Sequence, residues 1–130
     1  MKSKFSSSWK SSTQPRRQRK FLANAPLHVK QKLVSSHLSK DLRKQYHRRS
    51  LPLRKGDEVK VLRGSSAGLK AKVSEVDLNR VRIYLEGQLR SKVAGKKAPI
   101  PFQPSNLMIT DAKLADKERE AIVKRSGVKK

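Results

Sequence analysis

The chain has 130 residues, 33 Lys plus Arg against 10 Asp plus Glu, a formal charge of +23, and only 35% hydrophobic and 5% aromatic residues. That balance argues against an ordinary enzyme with a large core. It predicts one small domain with solvated basic extensions, whose field repels itself and attracts polyanions, nucleic acid first among them. With no Cys there is no disulfide framework, thiolate zinc site or thiol redox chemistry, and apolar runs no longer than three residues hold neither a transmembrane helix nor a secretory signal. Six Ser and no acid in the first twenty residues loosely resemble an organelle transit peptide. The basic character continues well past them, and a cytoplasmic location is expected.

The charge is loaded at the front: residues 1–50 carry +13, residues 51–110 carry +7 and residues 111–130 carry +3. The expected division follows these limits, with a basic extension ordered on a polyanion, a central folded unit, and a C-terminal helix and tail. Met1 to Gln14 is Ser-rich, with Phe5 and Trp9 isolated among polar residues, and cannot pack alone. After Pro15, Arg16-Arg17-Gln18-Arg19-Lys20 can form a basic helical turn or two. Pro26 suits the first turn of a next helix carrying Leu27, Leu33 and Val34. Ser39 is placed to cap a third short helix through Tyr46, with Asp41 in its first turn. All three are too short and polar to stand alone in water. His47-Arg48-Arg49 then reads as a phosphate-contacting arm.

From Leu51 the pattern becomes alternating, the signature of half-buried strands. Val59 and Val61 share one face of Asp57 to Arg63, and Ala71 and Val73 share one face of Lys70 to Val76. Val76 falls out of phase and marks a bulge. Val81, Ile83 and Leu85 form a third inward row. Gly64-Ser65-Ser66-Ala67-Gly68 joins the first two strands, and Asp77 to Arg80 makes a tight turn into the third. Leu89, Ser91 and Val93 continue as a weaker strand, and Gly95-Lys96-Lys97 is a basic turn. Pro99 to Phe102 can only be an edge or irregular segment, since each Pro removes a ladder donor. Pro104-Ser105-Asn106 is a single helical turn before a last strand, Leu107 to Thr110. Five short strands in about 55 residues predict a mainly β fold, a small closed or nearly closed barrel. The tail predicts a helix with Leu114, Ala121 and Ile122 on one face, acids at its start and Lys124 and Arg125 at its end. Its near-balanced charge points to packing on the barrel or on a protein neighbour, with a free surface helix as the alternative.

No constellation predicts catalysis, a cofactor or a metal. The loop from Gly64 to Lys70 lacks P-loop spacing and leads into a strand. His28, His37 and His47 lie nine and ten residues apart with one carboxylate in their segment. Asp57 and Glu58, adjacent on a strand, face opposite ways and share no acid–base task. The basic side chains do predict a binding surface. On the extension the candidates are Arg16, Arg17, Arg19, Lys20, Lys30, Lys32, Arg43, Lys44, His47, Arg48 and Arg49. On the central unit they are Arg54, Lys55, Arg63, Gly64, Ser65, Ser66, Gly68, Lys70, Lys72, Arg82, Lys96 and Lys97, with Lys60 also facing outward. A flexible arm and a small module suit irregular structured RNA better than duplex DNA. Stacking by Trp9, Phe21 or Tyr46 is a minor term.

Lys55-Gly56-Asp57-Glu58-Val59-Lys60-Val61-Leu62-Arg63-Gly64, then Gly68, then Lys72-Val73 with Val76, resembles the KOW motif of ribosomal proteins and transcription elongation factors. The flanks Phe21 to Pro26, Ser35 to Leu53 and Pro104-Ser105-Asn106-Leu107 with Ile109-Thr110 extend that resemblance. Over roughly Pro15 to Gly127 the chain is similar to the protein twenty-four family of the large ribosomal subunit in its archaeal and eukaryotic form, called twenty-six in the older eukaryotic count. The resemblance implies an SH3-like barrel (KOW domain) on large-subunit ribosomal RNA, near its 5′ domain and the exit of the nascent-peptide tunnel. It also implies neighbouring large-subunit proteins as partners, a part in early subunit assembly, and no membrane or small-molecule substrate. Gly68 matches the family's inter-strand glycine, where a bare backbone permits close approach or positive φ. Ala67 stands where Lys is usual and Ala71 where Gly is common. The loop thereby loses a phosphate contact, for which Arg63, Lys70 and Lys72 compensate. The alternative from the residues is a KOW-type nucleic-acid-binding factor associated with transcription, and a secreted polyanion binder is a third class that lacks a signal and disulfides.

Overall fold

The computed structural model describes Phe5 and residues 12–127. The expectation for Met1 to Gln14, including Trp9, therefore falls largely outside the described residues. Two helices come first, α1 (Pro15–Asn24) and α2 (Leu27–Leu33). Pro15 sits in the first turn of α1, where its missing N–H costs nothing, and the Gln18 side-chain amide donates to Ser12 O at 2.8 Å. Pro26 ends α1 by holding Ala25 in an extended conformation and then precedes α2, whose Val29 and Lys30 amides donate to its carbonyl. Strand β1 (Ser35–Leu38) follows, then α3 (Lys40–Tyr46) and β2 (Ser50–Pro52). Ser39 caps α3 as predicted, its hydroxyl accepting from the Leu42 amide, and His47 ends it at φ 51° in the left-handed region.

The remaining strands are β3 (Glu58–Val61), β4 (Lys70–Asp77), β5 (Arg82–Ser91), β6 (Lys97–Phe102) and β7 (Leu107–Asp111), with a single 3-10 turn at Pro104–Asn106 and helix α4 (Lys117–Gly127). They form one seven-stranded sheet in the order β2-β1-β7-β3-β4-β5-β6. All pairs are antiparallel except β1 with β7. Val59, Val61, Val73, Ile83, Leu85, Leu107 and Ile109 are buried in a single cluster, so the sheet wraps one core in the manner of a small barrel. The Val76 irregularity is real: the β4–β5 register shifts between Val73 and Glu75.

Three expectations need correction. The segment from Val34 onward is not a separate arm: Val34, Leu38, Leu42, Tyr46, Leu51 and Leu53 lie in the barrel's own core, and β1 and β2 extend its sheet. β1 and β2 each bury one large apolar side chain, Leu38 and Leu51, too few to show alternation, and Tyr46 is a packing residue. Leu89 to Val93 is not a fourth strand. β5 runs unbroken to Ser91, with a register shift beyond Tyr84 where Gly87 adopts φ 75°, and Val93 sits fully exposed in the turn. On α4 the inward side chains are Arg119, Ile122 and Val123, while Ala121 is exposed.

The reason for the last difference is an ion pair that periodicity does not show. Arg119 is 2% exposed and Asp57 is 0% exposed. Its guanidinium donates to both carboxylate oxygens, Nη1 to Oδ1 at 2.6 Å and Nη2 to Oδ2 at 2.5 Å. It also donates to the carbonyls of Lys113 and Pro52, at 2.9 and 3.2 Å. The carboxylate accepts from the backbone amides of Arg54 and Lys113 as well. This bidentate pair ties α4, the entry to β3 and the end of β2 at one point. Beside it, Gly56 turns the chain at φ 92°, and a Cβ there would stand 2.9 Å from the Lys113 ammonium.

Candidate nucleic-acid interface

The predicted contact residues fall into local groups on separate elements. Arg16, Arg17, Arg19 and Lys20 are all exposed on α1, a helix that buries no residue at all. Phe21 beside them packs its ring against Phe5, with centroids 5.1 Å apart. Such a helix has little reason to form in water from propensity alone, and its apolar neighbours are few.

The β3–β4 connection is a closed loop. The Val61 amide donates to Leu69 O at 2.8 Å and the Gly68 amide to Val61 O at 2.7 Å. Gly64 and Gly68 hold φ of 98° and 89°, with open space where a Cβ would be, so at Gly68 the requirement is backbone conformation rather than close approach by this chain. Arg63, Gly64, Ser65, Gly68 and Lys70 are exposed and Ser66 is half-buried. Below the loop the ladder sets Lys60 directly opposite Lys70 and Glu58 opposite Lys72. Glu58 and Lys72 approach only to 4.0 Å with both side chains half exposed, a weak pair. Lys60 and Lys70 are like charges facing across two strands, a destabilising arrangement unless an anion lies between or over them.

The tip of the β5–β6 hairpin is a second basic group. Residues 91–97 are all exposed, and the turn is closed by the Lys92 amide donating to Lys96 O at 2.7 Å and the Gly95 amide to Lys92 O at 2.9 Å. The structure adds Arg90 and Lys92 to the expected Lys96 and Lys97, and no acid occurs between Gln88 and Thr110. Reading Leu89 to Val93 as a separate, weaker strand left these two out.

Other predicted residues are already engaged within the chain. Lys30 is 7% exposed, its ammonium donating to Asn79 O at 3.1 Å, so it fastens α2 to the β4–β5 turn and is not presented to solvent. That is a correction, and its physical cause is the desolvated stem lying under the turn. Arg54 pairs with Asp116 at 2.5 Å, and Arg43 Nε donates to Leu38 O at 3.0 Å, although the Arg43 side chain stays exposed. Arg82 is half-buried and bonds Val81 O. Lys32, Lys44, His47, Arg49 and Lys55 are exposed, and Arg48 is half-buried. Among the described residues no group of three or more His, Asp and Glu is arranged to hold a metal ion. No helix there is long and apolar enough to cross a membrane.

A small barrel-like β domain with basic loops, a basic hairpin tip and an exposed basic helix is the kind of module that the resemblance to KOW-domain ribosomal proteins implies. A sequence family described as the ribosomal proteins L26 of eukaryotes and L24 of archaea matches residues 12–126, and the chain belongs to that family. It is 43% identical over 118 residues to large ribosomal subunit protein uL24 of Korarchaeum cryptofilum (strain OPF8), a span covering 91% of this chain and 90% of that protein.

Proposed function

We propose that this chain is a structural constituent of the large ribosomal subunit, works in the cytoplasm within the ribosome, and binds ribosomal RNA through three surfaces: α1, the β3–β4 loop with Lys60, Lys70 and Lys72, and the β5–β6 tip. The observation that carries RNA binding is the facing of Lys60 and Lys70 beneath a loop bearing Arg63. A phosphate over that strand pair turns a repulsive ladder position into a favourable one. Within the particle the protein sits on the 5′ domain of that RNA, near the exit of the nascent-peptide tunnel, and joins during early assembly, as its family resemblance implies. It performs no catalysis.

The test has two arms. The endogenous protein is followed through a density gradient at moderate salt, where co-sedimentation with large subunits is expected; recovery chiefly with RNA polymerase after ribonuclease treatment would replace this reading with the transcriptional one. In the second arm the full chain is titrated with isolated large-subunit RNA. If six to ten basic side chains meet phosphate, affinity falls about 10³- to 10⁵-fold between 50 and 200 mM salt. Reversing the charges of Arg16, Arg17 and Arg19 weakens binding more than reversing Lys113, Lys117 and Lys124, and equal losses from both triples would contradict the front-loaded reading.

A further inference from the structure

We propose that Lys32, Arg48 and Arg125 form a phosphate-binding groove, so that the C-terminal helix is part of the RNA-binding surface rather than only a packing element; this rests on the RNA-binding reading above. The groove, of about 440 Å³, is lined by Lys32 of α2, Ser35, Arg48, Pro52 of β2, and Ile122 and Arg125 of α4. Three cations from three separate parts of the chain converge on it and no carboxylate lines it. Like charges gathered without an acid raise the energy of the free protein, and an anion seated among them removes that cost. Pro52 and Ile122 supply apolar walls that lower the local dielectric and strengthen the attraction.

Of the three, Arg48 is held in position within the chain, while Lys32 and Arg125 are exposed at the groove's edge. Arg48 Nε donates to Ser50 O at 3.0 Å and its Nη1 donates to Ser126 Oγ at 3.2 Å. Ser126 Oγ in turn donates to Ile122 O, so the Arg48 guanidinium is fastened to the α4 turn that carries Arg125. The first turn of the same helix is anchored through Arg119 and Asp57. A guanidinium fixed by part of its donor set, as that of Arg48 is through Nε and Nη1, suits the oxygens of a backbone phosphate with its remaining donors.

A cation near the end of α4 also has an ordinary role in opposing the helix dipole. Lys124 separates the two roles. It is equally near the helix end, yet it pairs with Glu120 at 3.1 Å and does not line the groove. Its neighbour Arg125 does.

The experiment titrates isolated large-subunit RNA into the full-length wild type and into Lys32→Gln, Arg125→Gln, Arg125→Lys and Lys124→Gln from 50 to 400 mM KCl, with circular dichroism melts confirming that each variant is folded. Lys32→Gln and Arg125→Gln are each expected to weaken binding by up to about tenfold and to flatten the log–log salt dependence by about one unit. Arg125→Lys retains the wild-type slope, and Lys124→Gln matches wild type in both respects. Equal effects of Arg125→Gln and Lys124→Gln would overturn the groove, as would a loss of affinity with an unchanged salt slope. If Arg125→Gln binds RNA normally but fails to enter large subunits in a gradient, an acidic protein neighbour replaces phosphate as the occupant and the proposal is wrong. Failure of the wild type to bind RNA at all would instead sink the wider reading of function.

Discussion

Residues 12–33 and residues 34–53 are both strongly basic, with net charges of +6 and +4, yet they are folded on different principles. The first stretch buries only Ala25 and Lys30 and carries α1 and α2 on the outside. The second places Val34, Leu38, Leu42, Tyr46, Leu51 and Leu53 in the barrel core while its Lys and Arg point outward. Charge density therefore marks what faces outward and does not mark where the folded domain begins. What separates the two stretches is the spacing of a few apolar side chains among the charged ones.

The contrast can be broken most severely from outside both stretches, at Arg119. Its guanidinium grips Pro52 O at the end of the second stretch and leaves Asp57 as an unpaired buried carboxylate when removed. Arg119→Ala should cost about 3–5 kcal/mol, read by denaturant unfolding, with α4 detached. A loss below about 1 kcal/mol, the scale of an exposed ion pair, would show that the pair is not buried in solution.

Next in size, Leu38→Ala, at a side chain 1% exposed, should cost about 2–5 kcal/mol. Leu27→Ala, at a side chain 57% exposed in the first stretch, should stay within about 0.5 kcal/mol. Similar values at the two sites would erase the distinction between the stretches. The helix caps provide the smallest and most local comparison. Ser39→Ala removes the hydroxyl that accepts from Leu42 and should cost about 1 kcal/mol. Gln14→Ala should be nearly silent by the same thermal or chemical melt, because Gln14 makes no side-chain cap to α1.

Much of the barrel was legible in the residues. Alternation at Val59/Val61, Val73 and Ile83/Leu85 gave the buried faces of β3, β4 and β5, and the misfit of Val76 gave the bulge; Pro99 and Pro101 left only an edge or irregular segment, which the fold makes β6 at the end of the sheet. Ser39 with Asp41 gave the start of α3. β1 was not legible, because Ser35-Ser36-His37-Leu38 carries one apolar side chain. Its strand character comes from partners far along the chain, Met108 and Ile109 of β7, and from the Ser36 hydroxyl donating to Pro104 O at 2.5 Å. At the interface, the exposed bases of α1 and of the β3–β4 loop could be read directly. The burial of Lys30, the prominence of Arg90 and Lys92, and the groove formed with Arg125 depend on neighbours that no local window contains.

The sequence alone determined the sign and loading of the chain's own charge, the β character of the centre and the turns that need glycine, since net charge, period-two patterning and positive φ are properties of single residues and short windows. Only the tertiary structure decided that the basic front from Val34 onward belongs to the barrel core, that Asp57 and Arg119 neutralise each other 62 residues apart, and which Lys and Arg stay exposed. Burial, pairing and like-charge convergence are relations between distant residues, and they acquire an energy only when the fold brings the groups within a few ångströms in a low-dielectric setting.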